Sequence, residues 1–194
     1  MQYFAVQVIV MLRFMPRYSM RFNTISDLGN TMCGIYDGRS VCSPLHTLMN
    51  ISFIILGITM FLGAIFHYKI FKPSRLNWLG FTTLGLAGIG TVLVGAFPEN
   101  TISALHVFGA AMPFLVGNAG MVLLSYSLDI PRPLRVYTFL SGALALTALV
   151  LFTTHHYLGL GTGGMERLTA YPQTLWLIVF GTHGYFRKTP PKLT

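Results

Sequence analysis

The stretch HTLMNISFIILGITMFLGAIFH, residues 46–67, decides the fold because it contains no Asp, Glu, Lys or Arg. An α-helix rises about 1.5 Å per residue, so this segment is long enough to cross the roughly 30 Å hydrocarbon core of a bilayer. Segments 78–97, 104–127 and 136–154 are equally free of charge, and segment 171–186 is shorter with aromatic residues near its ends. We therefore predict five membrane-spanning helices.

The start of the chain adds a shorter apolar stretch, residues 2–14, which is too short to cross a bilayer unaided. It predicts a partial first helix and six helices in total. Of the 194 residues, 53% are hydrophobic and only 9% are charged, against roughly 25% charged in soluble domains. The fold class is therefore an all-α transmembrane helix bundle, with residues 1–194 as a single domain and residues 16–45 as a loop.

The distribution of basic residues predicts the orientation of the bundle. Eight of the 13 Lys and Arg residues fall on one side: Lys69, Lys72, Arg75, Arg132, Arg135, Arg187, Lys188 and Lys192. The positive-inside rule places that side, and with it the carboxyl terminus, in the cytoplasm. We expect a multi-pass protein of the cell membrane, with residues 16–45 outside.

The formal net charge of +8 could indicate a nucleic-acid partner. However, the basic residues stand singly at the ends of apolar segments and form no dense run, so membrane topology explains them better. We expect membrane lipid and no nucleic acid as the partner, and the sequence leaves a homo-oligomer open. The glycines of segment 78–97 are typical of close helix packing in membranes; they are Gly80, Gly85, Gly88, Gly90 and Gly95.

The two cysteines of the chain, Cys33 and Cys42, both lie in the predicted outer loop. An oxidising exterior and their closeness favour a disulfide, which closes a loop of about ten residues and contributes roughly 2–3 kcal/mol. A metal site is the alternative, but zinc requires four ligands and no histidine neighbours the pair.

Polar and ionisable side chains gather at the predicted outer ends of the helices. The candidate ligand-binding residues are Asn23, Asp27, His46, Asn50, Glu99, His106, Asn118, Glu166 and Arg167. Polar groups from several helices at one depth predict a cavity that is open to the outer leaflet. The simpler alternative is that each group forms a local hydrogen bond, and for Asn50 and Asn118 an interhelical bond that holds the bundle.

Five blocks of sequence carry a resemblance: NTISDLG (23–29), CSPLHTLMNISFIILG (42–57), VGAFPEN (94–100), FGAAMPFLVGN (108–118) and GTGGMERLTAYP (161–172). Together they resemble the domain of unknown function 998 family of bacterial and archaeal membrane proteins, over almost the whole chain. A more distant likeness extends to the eukaryotic DRAM, FRAG and Sfk group, which implies at most a connection with lipid. Neither resemblance implies a catalytic mechanism.

Two functional hypotheses follow, and transport ranks behind both. The first is lipid binding, with a headgroup against Asp27, His106 and Glu166 and a phosphate on Arg167. The second is a lipid hydrolase or acyl-transfer enzyme with the same three residues as catalytic candidates. This enzyme would hold zinc, with His46 or His155 as a further ligand. However, no metal-binding motif occurs in the sequence. Apart from this hypothesis, no cofactor is required. A metal-free route would use Ser26, with His106 or His46 within hydrogen-bond reach.

Overall fold

The computed structural model describes residues 1–186, which form a helical bundle with one small β-hairpin. The elements in chain order are α1 (Gln2–Leu12), β1 (Cys33–Tyr36), β2 (Arg39–Cys42), α2 (His46–Tyr68), α3 (Arg75–Ala96), α4 (Ser103–Ala111), α5 (Asn118–Ser127), α6 (Arg132–Thr153) and α7 (Gly161–Phe186). A 3-10 turn, Ser26–Gly29, precedes β1, and a π-helical segment, Met112–Gly117, joins α4 to α5. Arg187, Lys188 and Lys192, which contribute to the predicted orientation, lie outside the described residues.

Within residues 1–186, four helices are long and apolar enough to cross a membrane, one fewer than the five that the sequence predicts. They are His46–Tyr68, Arg75–Ala96, Ser103–Ser127 and Arg132–Thr153, and each agrees with a predicted segment to within four residues at either end. The third of them comprises α4, the π-helical segment and α5. These four helices are those of an integral membrane protein.

The fifth predicted span, 171–186, is the second part of the longer helix α7, which begins at Gly161. This 26-residue helix includes Glu166 and Arg167, which fall in the loop before the predicted span 171–186. Its polar residues lower its mean hydropathy, which is why α7 does not count among the four apolar helices. Helix α1 has 11 residues, as expected of a partial first helix.

Helix α1 packs between α2 and α7 near one end of the bundle. Gln2 Nε2 donates to Ser52 O at 3.1 Å, and Ser52 Oγ donates to Gln2 Oε1 at 2.9 Å. On its other side, Tyr171 Oη donates to Gln7 Oε1 at 3.0 Å. Since 11 residues rise only about 16 Å, α1 packs along part of the length of α2 and α7.

The β-hairpin is a departure from the all-α prediction. Strands β1 and β2 are antiparallel, and the turn residues Asp37 and Gly38 have φ of 47° and 74°. Asp-Gly is a preferred pair for a two-residue turn with positive φ at both positions. Cys33 pairs with Cys42 across the strands and forms the disulfide that the sequence predicts. We call the end of the bundle that carries this hairpin the hairpin end, and the opposite end, with Lys69 and Arg132, the basic end.

The contact between α2 and α3 depends on the absence of side chains at two glycines. A Cβ atom at Gly57 would lie 2.4 Å from Gly88 O, and one at Gly88 would lie 2.6 Å from Gly57 O. The two backbones therefore touch directly, which is how helices gain van der Waals contact in lipid. The sequence anticipated this role for Gly88.

Replacing Gly57 by alanine is expected to destabilise the protein by about 1–3 kcal/mol, because α2 and α3 must separate to admit the methyl group. Gly63→Ala is the matched control on the same helix, since its Cβ meets no atom within 4 Å. The control should be neutral, or stabilising by up to about 1 kcal/mol. Unfolding by sodium dodecyl sulfate, followed by tryptophan fluorescence, measures both. Equal losses for the two variants would contradict the packing argument.

Candidate functional site

The segment Asn23–Gly29 folds over the hairpin end as a turn that is stabilised by Thr24 and Asp27. Thr24 N–H donates to Asp27 Oδ2, and Asp27 N–H donates to Thr24 Oγ1, both at 3.0 Å. This reciprocal pair is a capping box. Asn23 Nδ2 also donates to Asp27 Oδ2 at 3.0 Å. These bonds fix the backbone on either side of Ser26.

The Asp27 carboxylate is also occupied by an ion pair with the hairpin. Asp27 is fully buried, and Arg39 Nε donates to Asp27 Oδ2 at 3.0 Å while Arg39 Nη2 donates to Oδ1 at 3.1 Å. Arg39 Nη1 donates to Asp37 Oδ2 at 2.7 Å. Asp27 therefore joins the turn to the hairpin, and these contacts leave it no free face for a lipid headgroup or a metal ion.

Arg167 is likewise committed to the protein. Its Nη1 donates to Met20 O, Asn23 O and Gly163 O at 3.0, 2.9 and 2.7 Å. Its Nη2 donates to the Tyr18 hydroxyl, and its guanidinium lies over the Tyr18 ring. The predicted phosphate contact would have to break these bonds. The guanidinium instead anchors the loop that precedes the turn to α7.

Ser26, His106 and Glu166 come together, although they lie on different elements of the bundle. Ser26 begins the 3-10 turn, His106 is on α4 and Glu166 is on α7. Ser26 Oγ lies 3.0 Å from His106 Nε2 and 3.4 Å from Glu166 Oε1. Ile25 N–H donates to Glu166 Oε2. His106 and Glu166 are buried and Ser26 is half-buried, so these side chains meet largely out of contact with solvent.

The surroundings of His106 define which of its ring nitrogens carries the proton. His106 Nδ1 lies 2.9 Å from the carbonyl oxygen of Phe97, which can only accept a hydrogen bond. In a neutral imidazole the proton is then on Nδ1, and Nε2 has a free lone pair. That lone pair accepts the Ser26 hydroxyl proton. This is the arrangement in which a histidine acts as general base toward a serine, with the carbonyl as its orienting group.

Burial raises the pKa of the Glu166 carboxyl to about 7, an effect that the hydrogen bond from Ile25 N–H partly offsets. Glu166 lies at the hairpin end, before the predicted span 171–186. Because its pKa is close to neutral, a large fraction of the Glu166 carboxyl is protonated near neutral pH. In that form it is a hydrogen-bond donor beside Ser26 Oγ.

Ser26 and Glu166 line a cavity of about 50 Å³ in the centre of the bundle. Most of the lining is apolar and comes from α2, α3, α7 and the π-helical segment, for example Phe53, Val94 and Pro113. Gln173 also lines it, and among the described residues its Nε2 has no hydrogen-bond partner. A buried donor without a partner is available to a ligand or to water.

The π-helical segment has an identifiable cause. Pro113 lacks an N–H group and therefore interrupts the hydrogen bonding of the helix. Asn118 Nδ2 donates to Phe114 O at 2.9 Å and to Thr169 O on α7 at 3.2 Å. Asn118 thus supports the backbone of this segment and joins it to α7. Asn50 has a comparable function, since its Nδ2 donates to Gly29 O at 2.8 Å.

Glu99 lies in the loop between α3 and α4, next to the turn. It is buried and accepts a hydrogen bond from Asn30 Nδ2 at 2.9 Å. Burial, followed by repulsion from the Asp27 carboxylate, raises the pKa of Glu99 to about 8. At neutral pH the Glu99 carboxyl is therefore mostly protonated in the folded protein.

The stability contributed by Glu99 is expected to fall as the pH rises from 5 to 8.5. Because the folded-state pKa lies above the unfolded value of 4.5, the folded state binds the proton more tightly in this window. The free energy of unfolding of the wild type minus that of Glu99→Gln should therefore decrease, by on the order of 2–4 kcal/mol, between these limits. Detergent unfolding at five pH values measures it. A pH-independent difference would contradict the raised pKa.

The remaining histidines at this end do not join the group. His46 Nδ1 lies 3.4 Å from the Thr47 hydroxyl, and His155 is exposed with its Nδ1 2.8 Å from the Tyr157 hydroxyl. Within residues 1–186, no three His, Cys, Asp or Glu side chains are placed to hold one metal ion. The donor set therefore does not fit the zinc site of the second hypothesis.

Three participants were not among the candidate residues. Arg39 pairs with Asp27, Tyr18 contacts Arg167, and Gln173 lines the cavity. The capping-box pattern Thr24-x-x-Asp27 indicates that Asp27 is structural, although it does not identify the partner Arg39. No sequence signal identifies Tyr18 or Gln173, since both act through contacts with distant segments.

Comparison with known proteins gives one match. The family model described as "Protein of unknown function (DUF998)" matches residues 2–183. No curated protein and no solved structure matches the chain.

Proposed function

Since the chain belongs to the DUF998 family of proteins of unknown function, we propose from the geometry that it cleaves or transfers acyl groups of membrane lipids. Ser26 is the nucleophile and His106 is the general base. The observation that carries this proposal is the 3.0 Å contact between Ser26 Oγ and His106 Nε2, at the edge of an apolar cavity. It develops the metal-free route that the sequence leaves open.

The reaction proceeds in two steps. Ser26 Oγ attacks the carbonyl carbon of a lipid ester while its proton passes to His106 Nε2. The bond between that carbon and the alcohol oxygen then breaks, and the alcohol leaves with the proton from His106. Water, or a second alcohol, then gives its proton to His106 Nε2 and attacks the carbonyl carbon of the acyl-serine. The bond between that carbon and Ser26 Oγ breaks, Ser26 takes the proton back from His106, and the fatty acid or a new ester is released.

The negative charge that develops on the carbonyl oxygen requires hydrogen-bond donors. A protonated Glu166 supplies one, since its Oε1 is 3.4 Å from Ser26 Oγ. The unpartnered Nε2 of Gln173 lines the same cavity. The Phe97 carbonyl stabilises the imidazolium that forms on His106.

Lipid binding without chemistry is the second candidate function. It is favoured by the apolar lining of the cavity, such as Phe53 and Val94, which accommodates hydrocarbon without any reaction at Ser26. A fluorophosphonate probe, which forms a covalent adduct with activated serines, separates the two functions. We expect an adduct on Ser26 of the protein in native membranes, located by mass spectrometry. Lipid that co-purifies with a protein whose Ser26 never reacts would favour binding alone.

The orientation is part of the proposal. The basic end faces the cytoplasm of the cell and the hairpin end faces outward, which places Ser26 near the outer leaflet. The support is the cluster of Lys69, Lys72 and Arg75 at one end and the disulfide at the other.

A further inference from the structure

A larger cavity lies next to the small one, between α2 and α7. It has a volume of about 450 Å³, within the range of roughly 300–1,000 Å³ that is typical of small-molecule sites. Tyr3, Leu56, Met60 and Thr174 line both cavities. The two spaces are therefore adjacent, and we call the larger one the α2–α7 groove.

The groove lies between α2 and α7, and Met1, Gln2 and Tyr3 also line it. Towards the basic end the two helices meet, where the rings of His67 and Phe180 have centroids 5.2 Å apart. The groove thus adjoins the cavity beside Ser26 and is closed at the basic end.

The chemistry of the lining indicates a hydrocarbon. Among the residues that the structure describes, no Lys, Arg, Asp or Glu side chain lines the groove, and its walls include Met60, Leu84, Trp176 and Leu177. The His67 ring in the lining is engaged through Nδ1 with Gly63 O at 2.8 Å. Because α2 is one of the four apolar helices, the groove lies at the depth of the lipid hydrocarbon.

The length of the two spaces fits a long chain. Phe53 lines the small cavity and His67 lines the far end of the groove, and both are on α2. Fourteen residues of helix span about 21 Å, which exceeds half of the roughly 30 Å hydrocarbon thickness. A long acyl chain can therefore extend from Ser26 towards the basic end.

We infer that the α2–α7 groove holds the acyl chain of the lipid substrate and that its closed end limits the chain length. This inference rests on the proposed function, because the ester at Ser26 defines where the chain begins.

Two glycines allow the groove to be blocked without a clash. Gly63 on α2 and Gly181 on α7 both line it, and a Cβ atom at either position meets no atom within 4 Å. Gly63→Phe and Gly181→Phe should therefore fold and fill the groove. Val150→Phe, at a position of α6 that is 60% exposed, is the control.

The experiment compares a short-chain and a hexadecyl fluorophosphonate on each variant. We expect both probes to label Ser26 of the wild type and of Val150→Phe. In the two glycine variants, labelling by the hexadecyl probe should fall at least tenfold while labelling by the short probe is unchanged. Equal labelling by both probes in the glycine variants would contradict the binding of the acyl chain in the groove but would leave the proposed function intact. An unlabelled wild type overturns the proposed function.

A second measurement tests the groove without any reaction at Ser26. In phosphatidylcholine vesicles that contain a phosphatidylcholine with a diazirine on its acyl chain, illumination should attach lipid to residues of the groove, around Gly63 and Gly181. Adducts confined to the outward faces of the helices would contradict the inference.

Discussion

Replacement of Ser26 by alanine is expected to lower the rate of fatty-acid release from a lipid ester by at least about a thousandfold, as for other serine nucleophiles. The Ser26 hydroxyl lies within hydrogen-bond distance of both His106 and Glu166. The turn itself is held by Thr24, Asp27 and their backbone bonds, so the variant should fold normally. Release of radiolabelled fatty acid from phospholipid by the purified protein measures the rate.

Ser125→Ala is the matched control for this loss. Ser125 is also buried, but its Oγ donates to Val122 O at 2.6 Å on α5, away from the cavity. It should retain the full rate. His106→Asn should reduce the rate almost as strongly as Ser26→Ala, because the two residues act as one unit. A Ser26→Ala protein with the wild-type rate would eliminate the proposed nucleophile.

Arg39→Met is expected to destabilise the protein by about 3–5 kcal/mol, because it leaves the Asp27 carboxylate buried without its counter-charge. The Asp27 side chain has no exposed surface, and that of Arg39 is 13% exposed. The double variant Asp27→Asn/Arg39→Met should recover part of this loss, since it buries no unpaired charge. Thermal unfolding in detergent, followed by tryptophan fluorescence, gives the values.

Arg17→Met is the control for the loss of a positive charge. Arg17 is exposed, so its replacement should change the stability by less than about 0.5 kcal/mol. If the double variant were less stable than Arg39→Met alone, the ion pair would not be the cause of the loss.

The membrane helices could be predicted because lipid requires long uncharged segments, and residues 46–67 are such a segment. The boundaries of α7 could not be predicted, because charged residues such as Glu166 and Arg167 are typical of a loop at a membrane surface. The structure compensates for their burial with partners from the preceding loop and the turn, such as Asn23 O and Ile25 N–H. The hairpin was missed although Asp37-Gly38 is a turn signal.

The candidate site stays a prediction, and the structure shows which of its residues meet. His106 and Glu166 lie at the turn, whereas Asn118 bonds to the π-helical segment and to α7. The contact between Ser26 and His106 joins residues 80 positions apart, and that between Ser26 and Glu166 joins residues 140 positions apart. Which side chains meet across such separations is a result of helix packing, and one sequence does not contain that information.

The disulfide of the hairpin has a consequence for biogenesis. Arg39 reaches Asp27 from a strand whose end is crosslinked, and Asp27 in turn shapes the turn that presents Ser26. A chain inserted in the opposite orientation would expose Cys33 and Cys42 to cellular reductants and lose that crosslink. Under the proposed orientation and function, insertion in the correct direction is therefore required for activity at Ser26.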